Sequence, residues 1–256
     1  MNCNTAIALL LLAGIPRPVA AQGSAGSSGR LEPRYLIDLP TAGMLDKGSL
    51  AVDIDFYQKG GALLALSVGV LDRLSFGIGY GGTGLIGTET PVMNEVPGVN
   101  VKIRLIEEGI VLPALVIGFD SQGKDGYIKS LSRYVIKSPG LYIAASKNYS
   151  MLGFLSVHGG VNYTFERADD DRDANGYLGL EKTIGPFISA VVEYNLGNND
   201  NSGNALGRGR GYMSGALKCS IGGGLTLGIH LKDILKNGSD ASSINRTVHI
   251  EYAMAF

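Results

Sequence analysis

The chain has no tryptophan, two cysteines, charged side chains at 18% and no long apolar run, and each shortage removes a class of protein. Cys3 precedes the apolar stretch Ala6–Ala13, too early for a lipoprotein-type cleavage site, and is expected to leave with that stretch. Cys219 is then alone, which excludes an intrachain disulfide framework. A net charge of −1 argues against a nucleic-acid surface, so no nucleic-acid partner is expected. No stretch approaches the roughly 20 apolar residues that a helix needs to cross a bilayer.

Glycine and hydrophobic residues fill the composition instead. The 38 glycines are about twice the usual share, and 45% of the chain is hydrophobic. At 256 residues this suits either one domain with a sizeable core or one membrane barrel. The opening apolar run, Pro16 and the small residues Val19-Ala20-Ala21 ahead of Gln22 form the pattern of a signal peptide over 1–21. The usual Lys or Arg at the extreme N-terminus of such a leader is missing. Residues 22–30 are Gly, Ser and Ala-rich and read as a flexible leader. The irregular segment Tyr35–Leu45 completes a lead-in over 22–47 that lies in the periplasm or inside the lumen of a barrel.

From residue 48 the hydrophobic period is two. Leu50, Val52, Ile54 and Phe56 oppose Ala51, Asp53, Asp55 and Tyr57, and similar runs recur to the end, near 49–58, 62–71, 73–81, 98–107, 110–120, 139–148, 151–164, 176–183, 187–196, 211–221, 224–234 and 245–256. The last run ends on a bare aromatic, Phe256, with Tyr252 on the same parity. Short links alternate with long polar ones at 82–97, 121–138, 165–175, 197–210 and 235–244; only Gln58–Gly61 is short on the long side. A soluble sandwich has no reason to sort its loops by parity, whereas membrane barrels do. Backbone amides in hydrocarbon must all be paired, so a sheet can span only if it closes. The expectation is an all-β transmembrane antiparallel barrel of about twelve strands over 48–256, in the outer membrane of a Gram-negative-type bacterium, its final strand carrying Tyr252 and Phe256 as the assembly signal.

Parity then assigns faces. Tyr80, Tyr163, Tyr194 and Tyr252 fall outward near strand ends, as a girdle requires, while Tyr57 and Tyr212 fall inward. Asp53, Asp55, Lys102, Arg104, Glu193, Lys218, His230, Lys232, His249 and Glu251 all fall inward. Such a set lines a small aqueous path or cross-links into a plug; the mixed signs favour the network over a strongly ion-selective pore. The sharpest expectation is a charged cluster at the seam, with Asp53 and Asp55 beside His249 and Glu251.

Several pieces resemble the YjbH-like outer-membrane barrel family: Leu39-Pro40-Thr41-Ala42-Gly43-Met44-Leu45 with Gly48-Ser49, Leu71–Gly77, Asn100–Leu105, Pro113–Asp120 and Tyr142–Asn148. That resemblance covers about residues 35–165 and implies an outer-membrane barrel linked in some members to exopolysaccharide production or export; it brings no catalytic residues.

Other motifs have plain readings. Asp171, Asp173, Asn175 and Gly176 match the opening of a calcium loop, but Lys182 stands where the bidentate carboxylate belongs, so a solvated acidic outer loop is expected and no metal site. Gly203–Gly211, with Arg208 and Arg210, lacks the following helix that a phosphate cradle uses and reads as an outer loop touching lipopolysaccharide. A lipid hydrolase would draw on His158, His230 or His249 with Ser156 or Ser220, yet no nucleophile motif accompanies them, and lumen filling is the simpler reading. The leading expectation is a non-enzymatic envelope protein, without cofactor, that supports transport or polysaccharide export. Its expected partners are outer-membrane lipids, lipopolysaccharide, the barrel assembly machinery and polysaccharide export components. The alternatives are the hydrolase and a scaffold presenting surface loops.

Overall fold

The computed structural model describes residues 23–239 and 244–256; the expected signal peptide over 1–21 lies outside them. Fifteen strands follow in order: β1 Ser49–Tyr57, β2 Gly61–Leu71, β3 Leu74–Thr83, β4 Val92–Met93, β5 Gly98–Ile106, β6 Ala114–Asp120, β7 Lys124–Ile128, β8 Arg133–Ile136, β9 Gly140–Ser150, β10 Phe154–Tyr163, β11 Asn175–Ile184, β12 Ile188–Asn195, β13 Tyr212–Gly222, β14 Leu225–Lys232 and β15 Asn245–Ala255. Twelve of them form an antiparallel ring, β1-β2-β3-β5-β6-β9-β10-β11-β12-β13-β14-β15, closed where β15 returns to β1. Closure runs in unbroken register from Ser49 opposite Ala255 to Phe56 opposite Val248, so neither strand is left as an edge. The two-residue β4 pairs antiparallel with the end of β3, and β7 with β8 make a separate hairpin in the 121–139 connection.

The ring is inside out relative to a soluble protein. On β11, Leu178 and Leu180 are 62% and 47% exposed, while Tyr177 before them and Glu181 after them are 2% and 4% exposed. The same parity puts Leu64, Leu66, Phe76, Ile78, Ile103, Ile143, Val192, Leu217, Ile229 and Val248 on the outside as a continuous apolar belt. Tyr80, Tyr163 and Tyr252 stand in that outer surface, and Tyr57 and Tyr212 are buried inside. Short links join the strands at one end, at 72–73, 107–113, 151–153, 185–187 and 223–224, and the 58–60 link with all the long ones lie at the other. The 223–224 link needs glycine: Gly222, Gly223 and Gly224 all have positive φ, and a Cβ on Gly224 would lie 2.0 Å from the Ala253 carbonyl oxygen.

Two strands begin later than the alternation predicts. The expected strand at 110–120 starts at Ala114, because Gly109 N–H closes a turn on Leu112 O at 3.0 Å and Pro113 has no amide to give a ladder. Ile110 and Val111 are left almost wholly exposed at the tip. The run expected from 151 starts at Phe154, since Leu152 and Gly153 turn through positive φ.

Inside, glycine makes room for tyrosine. Tyr57 lies over Gly61, Tyr142 over Gly118 and Tyr177 over Gly160; each pair faces directly across two strands, and a Cβ on each glycine would come within 2.4 Å of its ring. These rings cover backbone that glycine would otherwise leave bare.

Candidate functional site

The lumen is occupied by the chain's own lead-in. Residues 33–43 rise into the ring as a hairpin, turned between Tyr35 and Pro40, which bridge antiparallel, and return to Gly48, whose amide donates to Gly69 O and whose carbonyl accepts from Phe256 N–H. Three apolar footings receive it. Leu39, Ala42 and Met44 pack on Ala114, Val116, Tyr142, Ala144 and Tyr177; Leu36 and Ile37 pack on Val191 and Ala216; Leu45 packs on Ala51 and Ala253. Gly179 lets Leu36 sit down on β11, since a Cβ there would be 2.2 Å from its Cδ1.

Wall charges then hold the hairpin by its backbone. Lys102 Nζ donates to the carbonyls of Arg34, Thr41 and Gly43 at 3.1, 3.0 and 2.9 Å. Glu193 accepts the amides of Ile37, Asp38 and Leu39, each at 3.0 Å, and Lys218 Nζ reaches Tyr35 O at 3.2 Å. Arg104 binds Ala42 O at 2.7 Å and pairs with Glu32 and Glu107. Residues 24–28, expected to be flexible, are instead pinned along the short-turn end: Ser24 N–H bonds Thr226 Oγ1, Ala25 N–H bonds Ser220 Oγ, Gly26 N–H bonds Ser189 Oγ and Ser27 N–H bonds Gly185 O, all within 2.9–3.0 Å. Small side chains let this backbone lie directly on wall hydroxyls, and composition alone does not separate that from slack.

The seam holds a mixed cluster. Asp53 faces Glu251 and Asp55 faces His249 across β1 and β15. His249 Nδ1 meets Asp55 Oδ1 at 2.7 Å, and its ring stacks on His230 with centroids 5.4 Å apart. Sequence reasoning missed the third party: Arg34, from the hairpin, binds Asp53 at 2.8 Å and Glu251 at 3.1 Å. Burial opposes its charge, but the two carboxylates more than offset that and raise its pKa above the ordinary arginine value.

A second plug descends from the long-loop end. The β7–β8 hairpin, which the polar 121–138 link did not announce, brings Lys124 to Asp55 at 2.9 Å and Asp125 to Lys232 at 3.4 Å and Asn245 at 2.9 Å. Lys232 also binds Asp38 of the first hairpin at 2.6 Å, and Lys124 Nζ lies 5.4 Å from the Tyr35 ring centroid, so the two plugs meet mid-lumen. Beside them a cavity of about 60 Å³ remains against the small residues Ala65, Ser67, Gly77 and Gly79. It is room for roughly four to six waters.

The ten sequence-predicted residues all sit on lumen-facing parity, and the structure adds Asp120 and Glu181. The wall strands therefore turn inward the carboxylates of Asp53, Asp55, Asp120, Glu181, Glu193 and Glu251 against the fixed cations Lys102, Arg104, Lys218 and Lys232. His158 Nδ1 meets Ser146 Oγ at 2.8 Å, and that hydroxyl also accepts the Ala42 amide. Tyr252 faces outward on β15 and Phe256 stands 80% exposed beyond it.

The acidic outer loop is not simply solvated, as its composition predicts. Asp169 and Asp200 are buried on Arg133, at 2.6 and 2.5 Å, and Lys137 joins Asp169 at 2.7 Å. Asp171 accepts the amides of Asn201 and Ser202, whereas Asn175 turns into the lumen to Asn162 and Asn195, so the calcium-loop positions do not converge. Arg208 Nη2 donates to Ser239 O at 2.8 Å within the outer loops.

An even-stranded closed antiparallel ring with an apolar outer belt, a polar interior and its short turns gathered at one end is an outer-membrane β-barrel. No protein-family model matches the chain, and no curated protein matches it. Among solved structures it is similar to the KdgM porin, with TM-score 0.48 and 10% identity over 80% of this chain and 98% of that one. It is also similar to the NanC porin (TM-score 0.46, 8% identity, 81% and 99% covered) and to the Acinetobacter baumannii outer membrane protein Omp33 (TM-score 0.45, 9% identity, 81% and 97% covered).

Proposed function

We propose that this is a non-enzymatic outer-membrane transport protein whose pathway is its lumen and whose resting state is closed by the 33–43 hairpin. The observation that carries this reading is how the hairpin is attached. It belongs to no ladder of the ring, and wall side chains hold its backbone, so its departure breaks no inter-strand hydrogen bond. A scaffold needs only a filled lumen; a segment that can leave without opening the ring favours a gate.

Polysaccharide export, the finer reading implied by the YjbH-like resemblance, requires the whole hairpin and the β7–β8 plug to withdraw, because the cavity beside them has room for a few waters and not for a sugar ring. The hydrolase alternative is less favoured: Ser146, the hydroxyl on His158, is buried and already accepts the Ala42 amide. Partners on the favoured reading are outer-membrane lipids, lipopolysaccharide at the long-loop rim, and an assembly machinery engaging the strand that carries Tyr252 and Phe256. Planar-bilayer recording tests it. Arg34→Ala leaves Asp53 and Glu251 without their cation and unseats the hairpin; the variant is expected to conduct where the parent chain is nearly silent. Silence of both across all voltages the bilayer tolerates points to the scaffold, and equal conductance removes the gate.

A further inference from the structure

We propose that Asp53 and Glu251 form a cation site in the transport path, held at rest by the Arg34 guanidinium, and that the lumen prefers small cations once the hairpin leaves. The inference rests on the lumen being the pathway.

Two observations carry it. Asp53 and Glu251 stand directly opposite each other on β1 and β15, like charge against like, a pairing that is unfavourable unless a cation is shared between them. The hairpin supplies that cation: Arg34 Nη2 reaches Asp53 Oδ1 at 2.8 Å, Asp53 Oδ2 at 2.9 Å and Glu251 Oε1 at 3.1 Å. A guanidinium from outside the ring thus occupies the position a permeating cation would take, and the cavity beside it is lined by both carboxylates.

The hairpin's departure is also electrically lopsided. Asp53 and Glu251 lose Arg34, and Glu193 loses its three amides with no cation in place. Lys232 loses Asp38 but keeps Asp125, and Arg104 loses Glu32 but keeps Glu107. Of the wall cations only Lys102 and Lys218, which hold hairpin carbonyls, are bared. The departure thus uncovers three carboxylates against two lysines, on a wall that carries six inward carboxylates against four cations in all. In a narrow low-dielectric passage such an imbalance sets which ion enters.

The test is the reversal potential of single Arg34→Ala channels in a KCl gradient, with folding checked by heat-modifiable mobility in detergent. Potassium is expected to permeate several-fold better than chloride. Adding Asp53→Asn and Glu251→Gln, near-isosteric neutral changes, is expected to bring the ratio close to one while conductance persists. Chloride preference, or a cation preference indifferent to both neutralisations, overturns the site and leaves the channel standing. Absence of conductance both in a folded Arg34→Ala barrel and in a folded barrel from which residues 33–43 are deleted overturns the channel and the site together.

Discussion

Lys102 on β5 and Glu193 on β12, five strands apart around the ring, grip the same hairpin by its backbone, one through three carbonyls and the other through three amides at its tip. Each satisfies polar groups that would be costly to bury alone. Neither hydrogen-bonds a hairpin side chain; the apolar ones are received by the footings, and Arg34 and Asp38 meet their own wall partners.

Glu193→Gln therefore tests the grip. The neutral amide keeps the shape but loses charge assistance, a loss of about 1.5–3 kcal/mol for hydrogen bonds to a charged group. Amide exchange at Ile37, Asp38 and Leu39 is expected to accelerate by one to two orders of magnitude, about the factor that energy implies, while exchange in β11 and β12 stays unchanged. Acceleration throughout the ring would make the hairpin a part of the barrel's core instead of its plug.

The tyrosine-over-glycine pairs make a second prediction. A side chain on Gly118 meets the Tyr142 ring at 2.3 Å, backed by β9 and the Leu39 footing, so the ring has nowhere to go. Gly118→Val is expected to destabilise the barrel by about 1–3 kcal/mol through overpacking, read from urea unfolding in vesicles. At Gly185, where nothing lies within 4 Å, crowding is absent; only its φ of 73° opposes substitution.

The outward parity is testable at one residue. Leu180 is on the outer face near the middle of β11, with Glu181 inward beside it. Leu180→Arg is expected to cost about 2–4 kcal/mol, the depth-dependent penalty for a cation at the bilayer midplane. A cost near zero would place Leu180 in contact with water.

The strand ring was legible because a period of two survives translation into faces. Leu178 and Leu180 outward with Tyr177 and Glu181 inward is the alternation itself. Turn chemistry hid only the ends: the Ile110-Val111-Leu112 run looks like a strand start, and its failure lies in Pro113 and in a closing hydrogen bond. The ten charged wall residues could be placed by parity, but their partners could not. Arg34 meets Glu251 across 217 residues of chain, and no local pattern encodes such a contact. The β7–β8 hairpin escaped for a different reason: Lys124 and Asp125 look like loop charges until Asp55 and Lys232 are seen beneath them.

The outer clasp yields a pH prediction. Burial pushes the Asp200 carboxyl up, but the Arg133 guanidinium, the Tyr212 hydroxyl and the Leu206 amide more than offset it, so its pKa lies below the ordinary 3.8. A carboxylate whose folded pKa is depressed contributes stability that is fully present above the unfolded value and is lost as pH falls through the folded one. The clasp joining the 121–139, 164–174 and 196–211 connections should thus remain shut from neutrality to about pH 5 and open only in stronger acid. Protection of the Leu206 amide, which donates to Asp200 Oδ1 at 3.0 Å, reports it after correction for intrinsic exchange. Asp200→Asn is expected to lower that protection at neutral pH by about 3 kcal/mol, the low end for breaking a buried pair, because Arg133 keeps Asp169. The variant should also lose the acid transition. A transition persisting in Asp200→Asn would move its origin to Asp171, whose carboxyl is pushed up by burial but held below its ordinary value by the amides of Asn201, Asp173 and Ser202.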